Sequence, residues 1–164
     1  MKLSEINFGR TTIKWILNLF PPLLFNRISI KSISEDFKQV HVQIRYSWMN
    51  KNFNRTIFGG TISSAIDPYL PTMYWHIFSR KKLPMEVWSK SIEVNFIKPA
   101  ITDLDLFFSI SNEDVDNAMK GLQKDNKYEH WHYVNIIDQN ENICAEAKVL
   151  VFLRNYKDLK IKSL

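Results

Sequence analysis

Five segments of this chain alternate apolar with polar residues, and one long helical pattern separates the first of them from the other four. In 39–48, Val40, Val42, Ile44, Tyr46 and Trp48 fall on one side, with Gln39, His41, Gln43, Arg45 and Ser47 on the other. In 88–96, Trp88, Ile92, Val94 and Phe96 alternate with Ser89, Ser91, Glu93 and Asn95, and Pro99 ends the run. The pattern returns in Leu104, Leu106, Phe108 and Ile110, again over 130–137, and last in Ile143, Ala145, Ala147, Val149, Val151 and Leu153. Period-2 alternation marks a strand with one buried and one wet face, as in an antiparallel sheet. The polar run Asp138–Asn142 between the last two predicts a hairpin turn.

The helical pattern consists of Ile62, Ala65, Ile66, Tyr69, Leu70, Met73 and Ile77 at three- and four-residue spacing. Pro68 and Pro71 fall inside it, and an interior proline removes a donor and costs roughly 3 kcal/mol. A kink just after Asp67 is therefore expected, with the Ser64 carbonyl losing its helical partner. A second, shorter and more acidic helix is expected over 112–124. The order strand, long helix, four strands describes an α+β domain with one helix on a curved antiparallel sheet.

A length of 164 residues suits one domain, and 45% hydrophobic content argues for a real core. Cys144 is the only cysteine, which excludes an internal disulfide or a cysteine-built zinc cluster and makes a cytoplasmic setting the default expectation. The net charge of +5 concentrates at the ends: residues 1–34 hold five basic groups and one acid, and 154–164 hold four and one. Basic ends suit phosphates on nucleic acid, on a membrane surface or on the nucleotide handle of a cofactor, and equally a merely soluble surface. They lack the interleaved aromatics of a nucleic-acid binder, so no nucleic-acid partner is expected. Residues 11–25 read as an amphipathic lid helix with the proline pair Pro21-Pro22. The stretch is too short to span a bilayer, and peripheral membrane attachment is the lesser reading.

The densest chemistry lies between Asn52 and Asp67. A loop of hydrogen-bonding side chains runs into Gly59-Gly60 at the start of the helical pattern, where unpaired backbone N–H groups suit an anion or a polarised carbonyl oxygen. Asp67 follows two turns later and shares the glycine face or reaches a neighbouring subunit. A carbonyl-polarising helix start, a carboxylate and a polar Asn form the minimum set for activating water on an ester or thioester.

Taken together these residues resemble the hotdog fold, in the branch of phenylacetic-acid-type acyl-CoA thioesterases, and within it the family called DUF4442. The resemblance is carried by Trp15-Ile16-Leu17-Asn18-Leu19-Phe20-Pro21-Pro22, by Asn52-Phe53-Asn54-Arg55-Thr56-Ile57-Phe58-Gly59-Gly60 and by Asp67-Pro68. Val87-Trp88-Ser89-Lys90 and Asn95-Phe96-Ile97-Lys98-Pro99 complete it. It implies a long helix wrapped by the sheet, with sites at the interface of a homodimer or a dimer of dimers. By it Asp67 is the nucleophile or general base, Gly59 the N–H that polarises the carbonyl, and Asn52 the orienting amide. Two departures stand out. Phe58 replaces a His common before Gly-Gly, and Asn54-Arg55 replaces an apolar residue followed by Gly.

The expected function is hydrolysis of an acyl-CoA or acyl-carrier thioester, with no metal or redox cofactor. Gly60 and Phe58 border the substrate, and Arg55, Lys90 and Lys98 are candidates for the CoA phosphates. The alternative is a non-catalytic acyl- or lipid-binding dimer. Each residue also has a plainer reading: Asp67 as a cap at the chain break, Asn52 as a turn former, and Gly59-Gly60 as room for helix–sheet packing. Ser63 and Ser64 lack a nucleophile-elbow context, Cys144 reads as an inert thiol, and His130 and His132 share a strand face without a third metal ligand.

Overall fold

A computed structural model describes residues 8–83 and 85–155. Two short helices, α1 (Arg10–Leu19) and α2 (Pro21–Phe25), lead into β1 (Ile28–Ile33) and β2 (Gln39–Ile44). Helices α3 (Gly59–Ser64) and α4 (Tyr69–Arg80) follow, then β3 (Met85–Phe96), β4 (Leu104–Ser109), α5 (Asn112–Asp125), β5 (Lys127–Asp138) and β6 (Ile143–Asn155). The six strands form one antiparallel sheet in the order β1-β2-β4-β5-β6-β3. The helical layer α3–α4 packs against its inner face, which is the hotdog architecture.

The inner face is built from the alternating apolar stripes: Val40, Val42 and Ile44 from β2, Leu104, Leu106 and Phe108 from β4, and Val149, Val151 and Leu153 from β6 are buried. Burying such a side chain contributes about 1.5–3 kcal/mol. Leu70, Met73, Tyr74, Ile77 and Phe78 of the helical layer meet them from the other side. Strands β4 and β5 pair only over Leu104–Leu106, and α5 joins them, contributing buried Val115, Ala118 and Leu122 to the core. That helix opens on a full capping box: the Ser111 hydroxyl accepts from the Asp114 N–H while the Asp114 carboxylate accepts from the Ser111 N–H.

The prolines do more than kink the helical pattern. Residues 65–68 form a turn, and Pro68 and Pro71 fall at the N-cap and in the first turn of a new helix, where a missing N–H costs little. Three further differences from the sequence expectation have local causes. β1 was not anticipated; it is short, with only Ile28 and Ile30 deeply buried, and its register shifts between Ile30 and Ser32. Trp48 lies in a turn beyond the end of β2 and is 84% exposed, not inward. Trp88 faces outward against Phe152, because a bulge at Lys90 shifts the alternation of β3 by one residue. Val87 and Ser89 take the inner positions instead, in line with Ile92 and Val94.

The Asp138–Asn142 hairpin is as expected: Asp138 Oδ1 accepts from the N–H groups of Asn140 and Asn142, and Glu141 takes a left-handed φ of 64°. The expected basic C-terminal run lies outside the described residues after Asn155, as do residues 1–7. Among the described residues no helix is long and apolar enough to cross a membrane.

Candidate active site

The loop before α3 is organised by two asparagines. Asn50 is buried; its amide donates to the carbonyls of Asn26 and Arg45, and its oxygen accepts from the Ser47 N–H. Asn52 Oδ1 accepts from the N–H groups of Asn54 and Thr56, and Nδ2 donates to Thr56 Oγ1 at 2.8 Å. Asn52 is thus the turn former of the 51–57 loop, with one amide proton left over. Arg55 sits at the loop tip with a left-handed φ of 60°. A non-glycine residue at such a φ bears a steric cost.

Phe58 is the N-cap of α3, and no side chain caps that helix start. The first helix-start donors are those of Thr61 and Ile62, both taken by the Phe58 carbonyl, and no acceptor is found for the Gly59 or Gly60 N–H among the described residues. Both glycines matter for space, not for backbone freedom. A Cβ on Gly59 would come within 3.0 Å of the Phe96 ring, and one on Gly60 within 2.3 Å of the Phe58 ring. Ser63 and Ser64 turn their hydroxyls back to the Gly59 and Gly60 carbonyls, which leaves neither available as a nucleophile.

Gly59 opens on a pocket of about 460 Å³. Asn52, Asn54 and Thr56 line it from the loop, Ile62 from α3, and Phe96, Ile97, Lys98 and Ala100 from the end of β3 and beyond. The Ile57 N–H donates to the Ala100 carbonyl at 2.8 Å and holds the two walls together. Lys98 reaches Asn142 Oδ1 at 2.9 Å on the rim. Of the expected site residues, the structure therefore brings Asn52, Gly59 and Lys98 to one pocket, with Phe58 and Gly60 beside it. Phe96, which covers Gly59, was not singled out, although it lies in the Asn95–Pro99 run that carries the resemblance.

Asp67 and Lys90 lie elsewhere. Asp67 is exposed just before α4, and its backbone carbonyl accepts a 2.9 Å hydrogen bond from Ser89 Oγ of β3. The Lys90 ammonium is 2.6 Å from Glu129 Oε1 and lies near the Phe152 ring, on the outer face of the sheet. One chain alone therefore does not place Asp67 in the pocket of its own Gly59. Instead the start of α3 and the turn that follows it sit under the same edge strand, Gly59 beneath Phe96 and Asp67 beside Ser89.

The strongest pKa shifts belong to groups away from this pocket. His132 is buried and 3.0 Å from the Tyr74 hydroxyl; burial, helped by the neighbouring His130, pushes its pKa down to about 4. Burial also pushes the Tyr74 phenol up. His130 meets Asp114 at 3.4 Å, so this cluster ties α5 to β5 and α4. Cys144 is buried, and burial raises its thiol, in keeping with an unreactive side chain. No group of metal-ligating side chains occurs among the described residues.

Comparisons with known proteins agree with this fold. The chain is similar in structure to a Pseudomonas aeruginosa protein of unknown function described as a probable thioesterase. The TM-score is 0.78 at 13% identity, covering 93% of this chain and 99% of that one. It is also similar to a Haemophilus influenzae thioesterase, with TM-score 0.67, 10% identity and coverage of 94% and 96%. A third likeness is to the Escherichia coli PaaI protein of the phenylacetic acid degradation operon, with TM-score 0.55, 12% identity and coverage of 87% and 93%. At these identities the likeness is one of fold. No curated protein matches the sequence. The family model described as a domain of unknown function, DUF4442, matches residues 9–153, nearly the whole chain, and the chain belongs to that family.

Proposed function

We propose that this chain is an acyl thioester hydrolase acting on an acyl-CoA or acyl-carrier substrate, as a homodimer joined through β3. The observation that carries the reading is the placement of the start of α3 and of Asp67, in the turn after it, under one sheet edge that no other described strand covers. β3 is twelve residues long and terminal in the strand order. An isologous contact between two such edges pairs them antiparallel about a two-fold axis. With the axis near Ile92–Glu93, Ser89 of one copy lies opposite Phe96 of the other. Asp67 then comes to the partner's Gly59, and two equivalent sites form.

In each site the free N–H groups of Gly59 and Gly60 hold the thioester carbonyl oxygen as it gains charge. The partner's Asp67 takes a proton from the attacking water, or attacks the carbonyl itself to form an anhydride that water then hydrolyses; in either case the C–S bond breaks and a CoA or carrier thiolate leaves. Asn52 keeps the loop in shape and offers its remaining amide proton to the pocket. Phe96, Ile97 and Phe58 supply apolar wall for an acyl chain, and Lys98 and Arg55 supply charge for phosphates. Lys90, engaged by Glu129 on the outer face, has no part in this arrangement. The fold relatives described as a thioesterase and a probable thioesterase support the reading.

The test is thiol release from acyl-CoAs of increasing chain length by wild type and Asp67→Asn. Turnover that falls at least about a hundredfold in the variant, with the fold intact, is expected. One specific feature favours the alternative of acyl binding without hydrolysis: the Phe58 ring lies over Gly60 where related enzymes often present His. Bound acyl material unchanged by Asp67→Asn, with no turnover from either protein, would select it.

A further inference from the structure

We infer that the elbow formed by α1 and α2 docks the protein on an anionic phospholipid surface. Helix α1 is fastened to the domain by one face only. Ile13 is buried, Asn18 exchanges hydrogen bonds with the Ile30 backbone at 2.6 and 3.3 Å, and Leu23 of α2 completes the attachment. The opposite face carries Trp15, Ile16, Leu19 and Phe20, at the three- and four-residue spacing that sets them side by side. Leu24 and Phe25 are exposed on α2, past the turn at Phe20. Trp15 is 58% exposed, Leu19 60% and Phe25 63%. Six large apolar side chains left in water on two turns of helix and the elbow beyond exceed the scattered exposure normal for a surface.

The surroundings say what covers them. Residues 8–34 contain Arg10, Lys14, Arg27 and Lys31 and no acid. Beside Leu24 lies a shallow pocket of about 270 Å³ whose charged walls are Arg27, Lys31 and Arg45. None of these three has an acidic partner among the described residues. The nearest acids in sequence, Glu35 and Asp36, lie in the β1–β2 turn, where they meet Arg10 and Lys38. An apolar face next to unpaired cations, with a tryptophan on it, matches the boundary between headgroups and acyl chains. Arg27, Lys31 and Arg45 meet lipid phosphates while the six apolar side chains enter the acyl boundary. A second copy is a poorer occupant, because the same patch on a two-fold partner brings no acid to meet the three cations. At ten residues α1 lies along a membrane and does not cross it. The elbow packs on β1, at the end of the strand order opposite β3, so the inference does not depend on the proposed dimer or its chemistry.

The test is flotation of the whole chain with vesicles of phosphatidylcholine alone and of phosphatidylcholine mixed with phosphatidylglycerol. Binding to the anionic vesicles that weakens with salt is expected. On phosphatidylcholine alone it should be about a hundredfold weaker, since each cation near an anionic surface contributes about fivefold. Trp15→Asn/Leu19→Asn/Phe25→Asn should abolish binding, and Arg27→Gln/Lys31→Gln/Arg45→Gln should remove the preference for anionic lipid. All six positions are solvent-accessible, and circular dichroism with a thermal midpoint checks each fold. Absence of vesicle binding by wild type overturns the inference, as does binding untouched by the apolar variant. If that variant instead lowers the oligomeric state in light scattering and wild type ignores vesicles, the face joins copies of this chain.

Discussion

Replacing His76 by Phe should stabilise the protein at neutral pH and remove part of its acid sensitivity. His76 is fully buried in α4, stacked on Phe37 with ring centroids 4.3 Å apart and tilted against Trp75 at 4.6 Å. Neither ring nitrogen has a hydrogen-bond partner among the described residues. Burial, reinforced by the positive charge of Arg80, pushes its pKa from 6.5 down to about 4. The folded protein thus holds the neutral ring, while the unfolded chain takes up a proton near pH 6.5. Between those values stability falls as pH falls. This contribution is fully present above the unfolded pKa and lost by the time pH reaches the folded one. Linkage gives a loss of about 2 kcal/mol at pH 5 and about 3 kcal/mol at pH 4 for this one group. His132, whose folded pKa is also about 4, adds a similar loss. Phe in place of His76 loses no hydrogen bond and relieves two unpaired polar atoms, worth about 1–3 kcal/mol. Fitting the larger ring offsets part of that, leaving a net gain of about 1 kcal/mol at pH 7. Urea unfolding of wild type and His76→Phe at pH 7 and pH 5 measures both terms. Wild type should lose about 2 kcal/mol more than the variant between the two pH values. Parallel pH dependences, or a variant weaker than wild type by more than about 2 kcal/mol at pH 7, would refute the picture of an unpartnered neutral imidazole.

Three further changes probe the scaffold of the site. Arg55→Gly relieves the left-handed residue at the loop tip, and the strain released exceeds the added chain entropy by about 0.5 kcal/mol, seen as a small rise in thermal midpoint. Asn50→Ala strips three hydrogen bonds from a buried junction between α2, β2 and the loop. A loss of about 2–4 kcal/mol in denaturant unfolding is expected, against near-zero for the exposed Asn54→Ala. Ser111→Ala opens the capping box of α5 and should cost about 1 kcal/mol in thermal unfolding without changing activity toward acyl-CoAs.

The architecture was legible because its strands keep strict alternation where one face is buried. β2, β4 and β6 follow the pattern residue by residue, and their apolar stripes form the inner face. The failures come from local events that alternation does not encode. A bulge at Lys90 turned Trp88 outward, and the turn after Ile44 left Trp48 in solvent. β1 escaped notice because its pattern is broken at Lys31 after two buried isoleucines. At the candidate site, the helix start at Gly59-Gly60 followed from residue type and spacing. The engagement of Asn52 by its own loop did not, since an Asx turn and a substrate-facing amide use the same residue. Nor did spacing show that Asp67 and Gly59 are anchored to opposite halves of one strand, which takes tertiary structure to see.

That anchoring makes α3 and the turn after it a spacer of fixed length. Asp67 follows Gly59 by eight residues, which at helical rise is on the order of 12 Å, several times the reach of a proton transfer. Under the proposed pairing each site draws one part from each chain, so two differently damaged chains repair one another. A dimer of one Asp67→Asn chain and one chain blocked at Gly59 keeps one whole site and concentrates both lesions in the other. Equal mixing of two inactive proteins, with exchange of subunits, should therefore restore about a quarter of wild-type turnover, as half the dimers are mixed and each has one working site.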